Sequence, residues 1–417
     1  MNVWILNHYA TLPDKPGGTR HYDLATELTK RGHHVTIFAS GFNHQTKREE
    51  RLEPRQRYKR QLVNGVDFIW IRTFAYKRND WRRVVDMVSY TLRVIPLGLR
   101  SRGKPDVILA SSPHLFAGLA GYVLAKARRA EFVIEIRDLW PQTLVDLGEY
   151  SNRSLIVRFL RILEAFLYRR AKKIVILHPK ASNYITRLGV PEAKIVHIPN
   201  GVNPELFSNP TTELPDALAA LISEIRTRGK VLVGYAGAHG IANAMDTIIE
   251  AAKLLQDKGG DRAYFLMVGE GPEKERLVAR ARDLGLRNVA FFGSIPKNTI
   301  PKLLMNVDVA TLSWKKSPLY QYGMSTNKLW DYMMCARPIV WAIDSANDPV
   351  AEAGCGLTVP PEEPDKLANA ILEMCHMTDK EREEMGKRGQ EYVVKHHSTP
   401  ILAARLLEAI EEGMRRE

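Results

Sequence analysis

Short apolar runs rich in Val and Ile alternate with amphipathic stretches along most of the chain. Residues 3–6, 35–39, 66–71, 107–110, 132–136 and 174–177 have the length and β-branched content of buried strands, and residues 21–31 and 155–170 carry the apolar period of helices. The rhythm restarts after a break, with strand-like runs at 231–235, 264–268, 289–292, 309–312 and 339–342. Strands that are apolar throughout and joined by helical crossovers predict parallel sheets covered on both faces. Because the pattern occurs twice, it predicts an α/β protein of two doubly wound domains, whose ligands lie at the carboxyl ends of strands.

The break falls at Ile198-Pro-Asn-Gly-Val-Asn-Pro204 and the Pro- and Thr-containing stretch to Pro215, where turn residues replace periodicity. The predicted domains are therefore 1–200 and 201–395. Over 396–417 a helical pattern, strongest from residue 400 to 416, follows the last strand-like unit and can pack back across the hinge onto the first domain. A length of 417 residues suits two cores better than one.

Composition narrows the function classes. The three cysteines, Cys335, Cys355 and Cys375, are far apart and form neither a disulfide framework nor a zinc spacing. The opening Met-Asn-Val-Trp-Ile-Leu-Asn-His lacks the marks of a secretory leader, and no run reaches the roughly 18 apolar residues of a spanning helix, so a cytoplasmic location is expected. Charge is uneven: residues 1–200 hold 34 Lys/Arg against 17 Asp/Glu, a net of +17, whereas the remainder is net −4. The first half is thus expected to meet something anionic, be it nucleic acid, an acidic lipid surface or a phosphorylated substrate. One basic tract, 47–60, reads as an exposed loop. Another, 77–104, has eight Lys/Arg interleaved with apolar residues, reads either as an ordinary core helix or as one that lies on an anionic bilayer, and carries Pro96, which would kink or end it.

Candidate chemistry sits after the strands. Behind residues 3–6 comes Asp14-Lys15-Pro16-Gly17-Gly18-Thr19-Arg20, in which paired glycines before a helix either make a simple turn or let a phosphate approach the backbone. Behind residues 132–136 comes Arg137-Asp138, either a structural pair or a reacting acid at Asp138. Gly237-Ala238-His239-Gly240 and Gly269-Glu270-Gly271-Pro272 follow two strands of the second half. The most specific stretch is Ser325-Thr326-Asn327-Lys328-Leu329-Trp330-Asp331: Ser325 or Thr326 can cap a helix, Lys328 adds a charge for a diphosphate in its first turn, and Asp331 can accept two ribose hydroxyls. The Gly-x-Gly-x-x-Gly and P-loop patterns are absent, which removes support for nicotinamide redox chemistry and P-loop hydrolysis.

In order, Gly17-Gly18, Gly32-His33-x-Val35, Ile198-Pro-Asn-Gly-Val-Asn203, Val268-Gly-Glu-Gly-Pro272, Phe292-Gly293 and 331–338 resemble the family-4 retaining glycosyltransferases of the GT-B fold, over nearly the whole chain. Asn7-His8-Tyr9, Arg137-Asp138-Leu139-Trp140-Pro141 and Ser325–Asp331 look closest to the subgroup that includes the L-fucosamine transferases of bacterial O-antigen assembly. The resemblance implies two Rossmann-like domains facing a central cleft and transfer of a sugar, most often from a UDP-sugar, with retention. It implies an N-terminal acceptor-side domain and a C-terminal donor domain. By the same resemblance, Gly17 and Gly18 border the diphosphate and the transferred sugar, Asp331 takes the place of the ribose-holding glutamate, and Asp138 falls near an active-site histidine of many members. Gly237, His239, Gly271, Ser294, Ser325, Thr326, Asn327 and Lys328 complete the implied donor site.

Two departures stand out. Gly323 occupies the position of the first motif glutamate, and the usual Arg and Lys are missing from 237–243, which shifts diphosphate neutralisation toward Lys328 and Arg20. No Asp-x-Asp occurs, so no metal or other cofactor is expected. The implied acceptor is a polyprenyl-diphosphate-linked sugar or an oligosaccharide, held by a protein peripheral on the inner face of the membrane, with no nucleic-acid partner. Rival readings are a nucleotide-sugar epimerase of the same architecture, a non-catalytic GT-B scaffold and a nucleic-acid-binding protein that uses the basic half.

Overall fold

The structure, a computed structural model, describes residues 1–417 except Pro16, Asn79, Pro113, 209–211, 259–261 and 416–417. Pro16 of the glycine loop, Asn79 of the basic tract, 209–211 of the linker and Arg416 of the predicted last helix therefore lie outside the described residues. The chain divides into two compact units, Met1–Asn200 with Thr399–Glu417, and Gly201–Ser398.

The first unit opens with β1 (Asn2–Leu6), α1 (Arg20–Lys30), β2 (His34–Ser40), the two-residue strands β3 (Phe42–Asn43) and β4 (Arg48–Glu49), β5 (Tyr58–Val63), β6 (Val66–Ile71) and α2 (Trp81–Arg100). It continues through β7 (Val107–Ser111), α3 (Leu115–Arg128), β8 (Glu131–Ile136), α4 (Gln142–Asp146), α5 (Leu155–Arg170), β9 (Lys173–Ile176), α6 (Ala181–Arg187) and β10 (Ile195–His197). Eight strands form one sheet in the order β10-β9-β8-β7-β1-β2-β6-β5, all parallel except β5, which runs antiparallel to β6. The tract expected as a loop at 47–60 is thus partly structured: Arg48–Glu49 pairs with Phe42–Asn43, and Tyr58 begins an edge strand.

Steps from β1 to β2 and from β7 to β9 run toward opposite edges, so right-handed crossovers put α1 on one face and α2, α3 and α5 on the other. Alternate strand residues Val3, Ile5, Val35, Ile37, Val107 and Leu109 pack with Leu24 and Leu28 of α1. Glycines seat the opposite layer: a Cβ at Gly121 would stand 2.4 Å from the Cβ of Ala110, and one at Gly98 would stand 2.8 Å from Leu124. Helix α2 runs through Pro96 to Arg100 instead of ending there. Pro96 is exposed, so its ring meets solvent, while the close Gly98 packing holds the last turn.

The second unit comprises α7 (Glu205–Ser208), α8 (Asp216–Thr227), β11 (Val231–Ala236), α9 (Met245–Asp257), β12 (Ala263–Val268), α10 (Lys274–Asp283), β13 (Val289–Phe292) and α11 (Ile300–Leu304). Then come β14 (Val309–Ser313), α12 (Asn327–Met334), β15 (Ile339–Ala342), α13 (Pro349–Ala353), β16 (Gly356–Val359), α14 (Pro364–His376) and α15 (Asp379–His397). Its parallel sheet has the order β13-β12-β11-β14-β15-β16, so the winding reverses between β11 and β14. Helix α15 ends at His397, and the chain passes at Ser398 into α16 (Thr399–Arg415), which belongs to the first unit. There Leu402, Ala403, Leu406 and Ile410 join the core on the α1 face, and Lys173 pairs with Glu412 at 2.9 Å.

A charged group lies at the centre of the first unit. Glu135, in β8, is wholly buried; its carboxylate accepts from Arg20 Nε at 3.0 Å and Ser111 Oγ at 2.9 Å, and His21 Nε2 lies 2.9 Å away. Burial opposes its ionisation, but Arg20, His21 and Arg137 outweigh it and hold the carboxyl well below the usual range. Removing one partner of such a set leaves the others charged and unpaired, so Glu135→Ala is expected to cost about 3–5 kcal/mol in urea denaturation. The depressed carboxyl also makes this stabilisation present at neutral pH and lost as acid protonates it.

Candidate functional site

In a doubly wound sheet the crevice opens where the strand order reverses, here at the carboxyl ends of β11 and β14. Three segments of the second unit converge there: residues 237–244 after β11, Trp314 after β14, and the start of α12. Lys328, in the first turn of α12, donates to the Tyr235 hydroxyl at 2.9 Å and to Asn243 Oδ1 at 3.0 Å. Its ammonium also lies over the rings of Tyr235 and Trp314, 5.0 and 5.8 Å from their centroids. Desolvation lowers its pKa to about 8. It is therefore a largely protonated cation near neutral pH, poorly compensated because both of its hydrogen-bond acceptors are neutral.

Thr326 occupies the N-cap position of α12, but its side chain makes no capping bond, contrary to the sequence expectation for that residue. The Thr326 hydroxyl thus leaves the first-turn N–H groups to other acceptors. Ser325 is buried beside it, Asn327 is exposed, and Asp331 is half-buried one turn along.

The glycines of this site make room for protein. Lys328 crosses Gly237, where a Cβ would stand 2.5 Å from Lys328 Cε. A Cβ on Gly269 would stand 1.9 Å from the Gly237 carbonyl oxygen, and one on Gly271 would stand 2.3 Å from that of His239. The two loops are zipped by Gly237 N–H to the Val268 carbonyl (2.9 Å), His239 N–H to the Glu270 carbonyl (2.9 Å) and Glu273 N–H to the His239 carbonyl (3.0 Å). At Gly271 the close approach that excludes a side chain is to the His239 backbone. His239 itself is wholly buried, and burial lowers its pKa to about 4, so at neutral pH it carries no charge with which to replace the missing Arg and Lys. Neither of its ring nitrogens has a hydrogen-bond partner among the described residues. Ser294 is exposed, and its backbone N–H bonds the Glu270 carboxylate.

In the first unit, Gly17 has φ +141°, and a Cβ there would lie 2.6 Å from Thr11 Cγ2, so glycine is needed for the turn. Gly18 is open: the nearest atom to its would-be Cβ is Arg137 Nη2 at 3.9 Å. Asp138 is exposed behind β8. Arg20 is not so offered. Its guanidinium is buried on Glu135, on the Ile198 carbonyl at 2.8 Å and on the Pro199 carbonyl, which removes it as a neutraliser of diphosphate. The half-buried Arg137, whose charge helps hold the Glu135 carboxyl down although no ion-pair contact joins the two, is the cation nearest Gly18.

One arrangement escaped sequence reasoning. His114 Nδ1 accepts the Ala117 N–H at 3.2 Å as the N-cap of α3, so its proton sits on Nε2 and points to His8 Nδ1 at 2.9 Å. His8 Nε2 then faces Asp86 Oδ2 at 3.3 Å. This buried chain underlies Tyr9, which stacks on the His8 ring at 4.3 Å. Its three members lie more than 100 positions apart at the extremes, and only the strand-end position of His8 hinted at it.

The architecture defines the class. The chain superposes on sucrose-phosphate synthase from Thermosynechococcus elongatus with a TM-score of 0.74 and 17% identity over 100% of both chains. It superposes on Anabaena Alr3699/HepE in complex with UDP-glucose with a TM-score of 0.67 and 16% identity, over 99% of this chain and 100% of that one. The fold is GT-B, two Rossmann-like domains. Residues 17–201 match the model of the "Glycosyl transferase 4-like domain" and residues 230–377 that of "Glycosyl transferases group 1". The chain belongs to the glycosyltransferases that join these two domains. Among curated proteins it is 23% identical over 288 residues to Pseudomonas aeruginosa "Probable glycosyltransferase WbjE", covering 68% of this chain and 69% of that one. It is 26% identical over 254 residues to Escherichia coli (strain K12) "Putative colanic acid biosynthesis glycosyl transferase WcaI", and that match spans 60% of each chain.

The loop zipper gives a direct test. Gly269 also has φ +153°, so Gly269→Ala combines a strained backbone with a Cβ inside the Gly237 carbonyl. A loss of about 3 kcal/mol in urea denaturation is expected, whereas Gly240→Ala, whose Cβ would meet Asn243 Nδ2 only at 3.5 Å, should cost far less.

Proposed function

We propose that the chain transfers a sugar, with retention, from a nucleotide diphosphate sugar to a lipid-linked or saccharide acceptor in bacterial surface-polysaccharide assembly. UDP is the first candidate nucleotide. The observation that carries the reading is Lys328: a desolvated ammonium at the switch point of the second sheet, beside the start of a helix. Such a group stabilises the charge that builds on a departing diphosphate without a metal. In this reading Asp331, one turn along α12, takes the ribose hydroxyls, and Ser325, Thr326 and Asn327 line the diphosphate. Within the first unit, Gly18 and Asp138, with Arg137 beside them, are the groups suited to contact a sugar.

The name of WcaI, with colanic acid in it, and the UDP-glucose bound by HepE favour this assignment. No helix among the described residues is long and apolar enough to cross a membrane, which fits a peripheral place on the inner face, where an anionic surface and a polyprenyl-linked acceptor would be met.

Calorimetric titration with UDP, GDP, ADP and dTDP in EDTA tests the donor site, with selective heat for UDP expected and silence across the panel against the reading. Lys328→Met should weaken UDP about tenfold or more. Binding favours the protonated lysine, so affinity should fall as pH rises through about 8 in the wild type and stay flat in Lys328→Met. Asp331→Ala should weaken UDP and leave inorganic pyrophosphate unaffected; unchanged UDP affinity would remove the ribose assignment.

A further inference from the structure

Helices α2, α3 and α5 cover one face of the first sheet, and their charges are one-sided. They carry ten Lys/Arg and two carboxylates, Asp86 and Glu164, both wholly buried. The layer therefore shows no acidic side chain of its own to solvent. Helix α1, on the other face, holds two basic and two acidic residues.

The same layer exposes large apolar side chains in register. On α5, Leu155, Phe159 and Ile162 stand 79%, 56% and 71% exposed at i, i+4 and i+7, with Ile156 at 54% alongside. Arg158, Arg169 and Arg170 flank this stripe. On α2, Trp81, Val84, Val88 and Leu92 form a second outward stripe, led by Trp81 at 65% and Leu92 at 66%, while Met87, Tyr90 and Val94 fill the core beneath. The inward faces already complete the hydrophobic core, so these outward residues have no packing role. Aliphatic and aromatic tips ringed by Arg, with the N-cap Asp80 beside Trp81 already paired with Arg82 at 3.2 Å, match a surface that is apolar within and anionic at its boundary.

We propose that the outer face of α2 and α5 docks on an anionic lipid bilayer, with Leu155, Phe159, Ile162, Trp81 and Leu92 entering the headgroup region and the arginines meeting lipid phosphates. The sequence pointed only to the α2 region; α5 read as an ordinary amphipathic helix until its apolar stripe proved to face outward. The proposal deepens the membrane part of the proposed function, but the docking does not depend on the donor site.

The test is flotation of the full chain with phosphatidylcholine vesicles, with and without phosphatidylglycerol. Binding is expected only with phosphatidylglycerol and should weaken with salt. Phe159→Glu with Ile162→Glu should reduce it about tenfold or more while leaving thermal unfolding and UDP titration unchanged, and Arg169→Gln with Arg170→Gln should flatten the salt dependence. Failure of the wild type to float, or equal flotation of the Glu variant, overturns the proposal. So does a concentration-dependent dimer in sedimentation velocity that the Glu variant abolishes, which would make a second copy the occupant. Salt-sensitive binding to duplex DNA that exceeds vesicle binding and ignores the Glu substitutions would make the face a nucleic-acid surface instead. None of the residues assigned to the donor lies on the outer face of α2 or α5, so loss of the donor reading in UDP titration and loss of this one in flotation are distinguishable.

Discussion

A fully buried carboxylate is costly unless every neighbour compensates it, and the first unit is organised around meeting that demand at Glu135. Arg20 and His21 reach it from the start of α1, and Ser111 from the end of β7. Arg20 spends its remaining donors on the carbonyls of Ile198 and Pro199, where the chain is about to leave the unit. One ionic centre thus fixes the entry of α1, the register of β7 beside β8, and the exit of the polypeptide. The loops at Gly18 and Arg137 adjoin α1 and β8, so their placement inherits this rigidity.

Much of the architecture was legible because burial on both faces of a parallel sheet leaves uninterrupted Val- and Ile-rich runs. The predicted strands at 289–292 and 339–342 coincide with β13 and β15, and the helix at 155–170 with α5. What escaped was polar or short. Strand β5, Tyr-Lys-Arg-Gln-Leu-Val, lies at an antiparallel edge with most of its side chains in solvent, so no apolar run marks it. Strands β10 and β16, of three and four residues, are edges too.

Candidate residues were legible as positions and less so as surroundings. Lys328 stood out because a lysine in the first turn of a helix behind a strand is a local pattern, and the structure does place it in that turn. Arg20 was misassigned because its partner lies 115 residues away, although a glutamate inside the apolar run Glu-Phe-Val-Ile-Glu-Ile should itself call for a buried cation. The glycines are ambiguous for a related reason. A missing Cβ marks close approach but not what approaches, and at Gly237, Gly269 and Gly271 the visitor is Lys328 or a neighbouring loop.

The return of α16 to the first unit has a consequence for how the chain is made. The second unit is one uninterrupted segment, Gly201–Ser398, whose two ends meet where Val202 bridges Ser398. The first unit is interrupted by it and lacks Leu402, Leu406 and Ile410 of its core until α16 has left the ribosome. The later-encoded domain can therefore close before the earlier one is whole, and a nascent first unit must wait with the α1 side of its sheet partly bare.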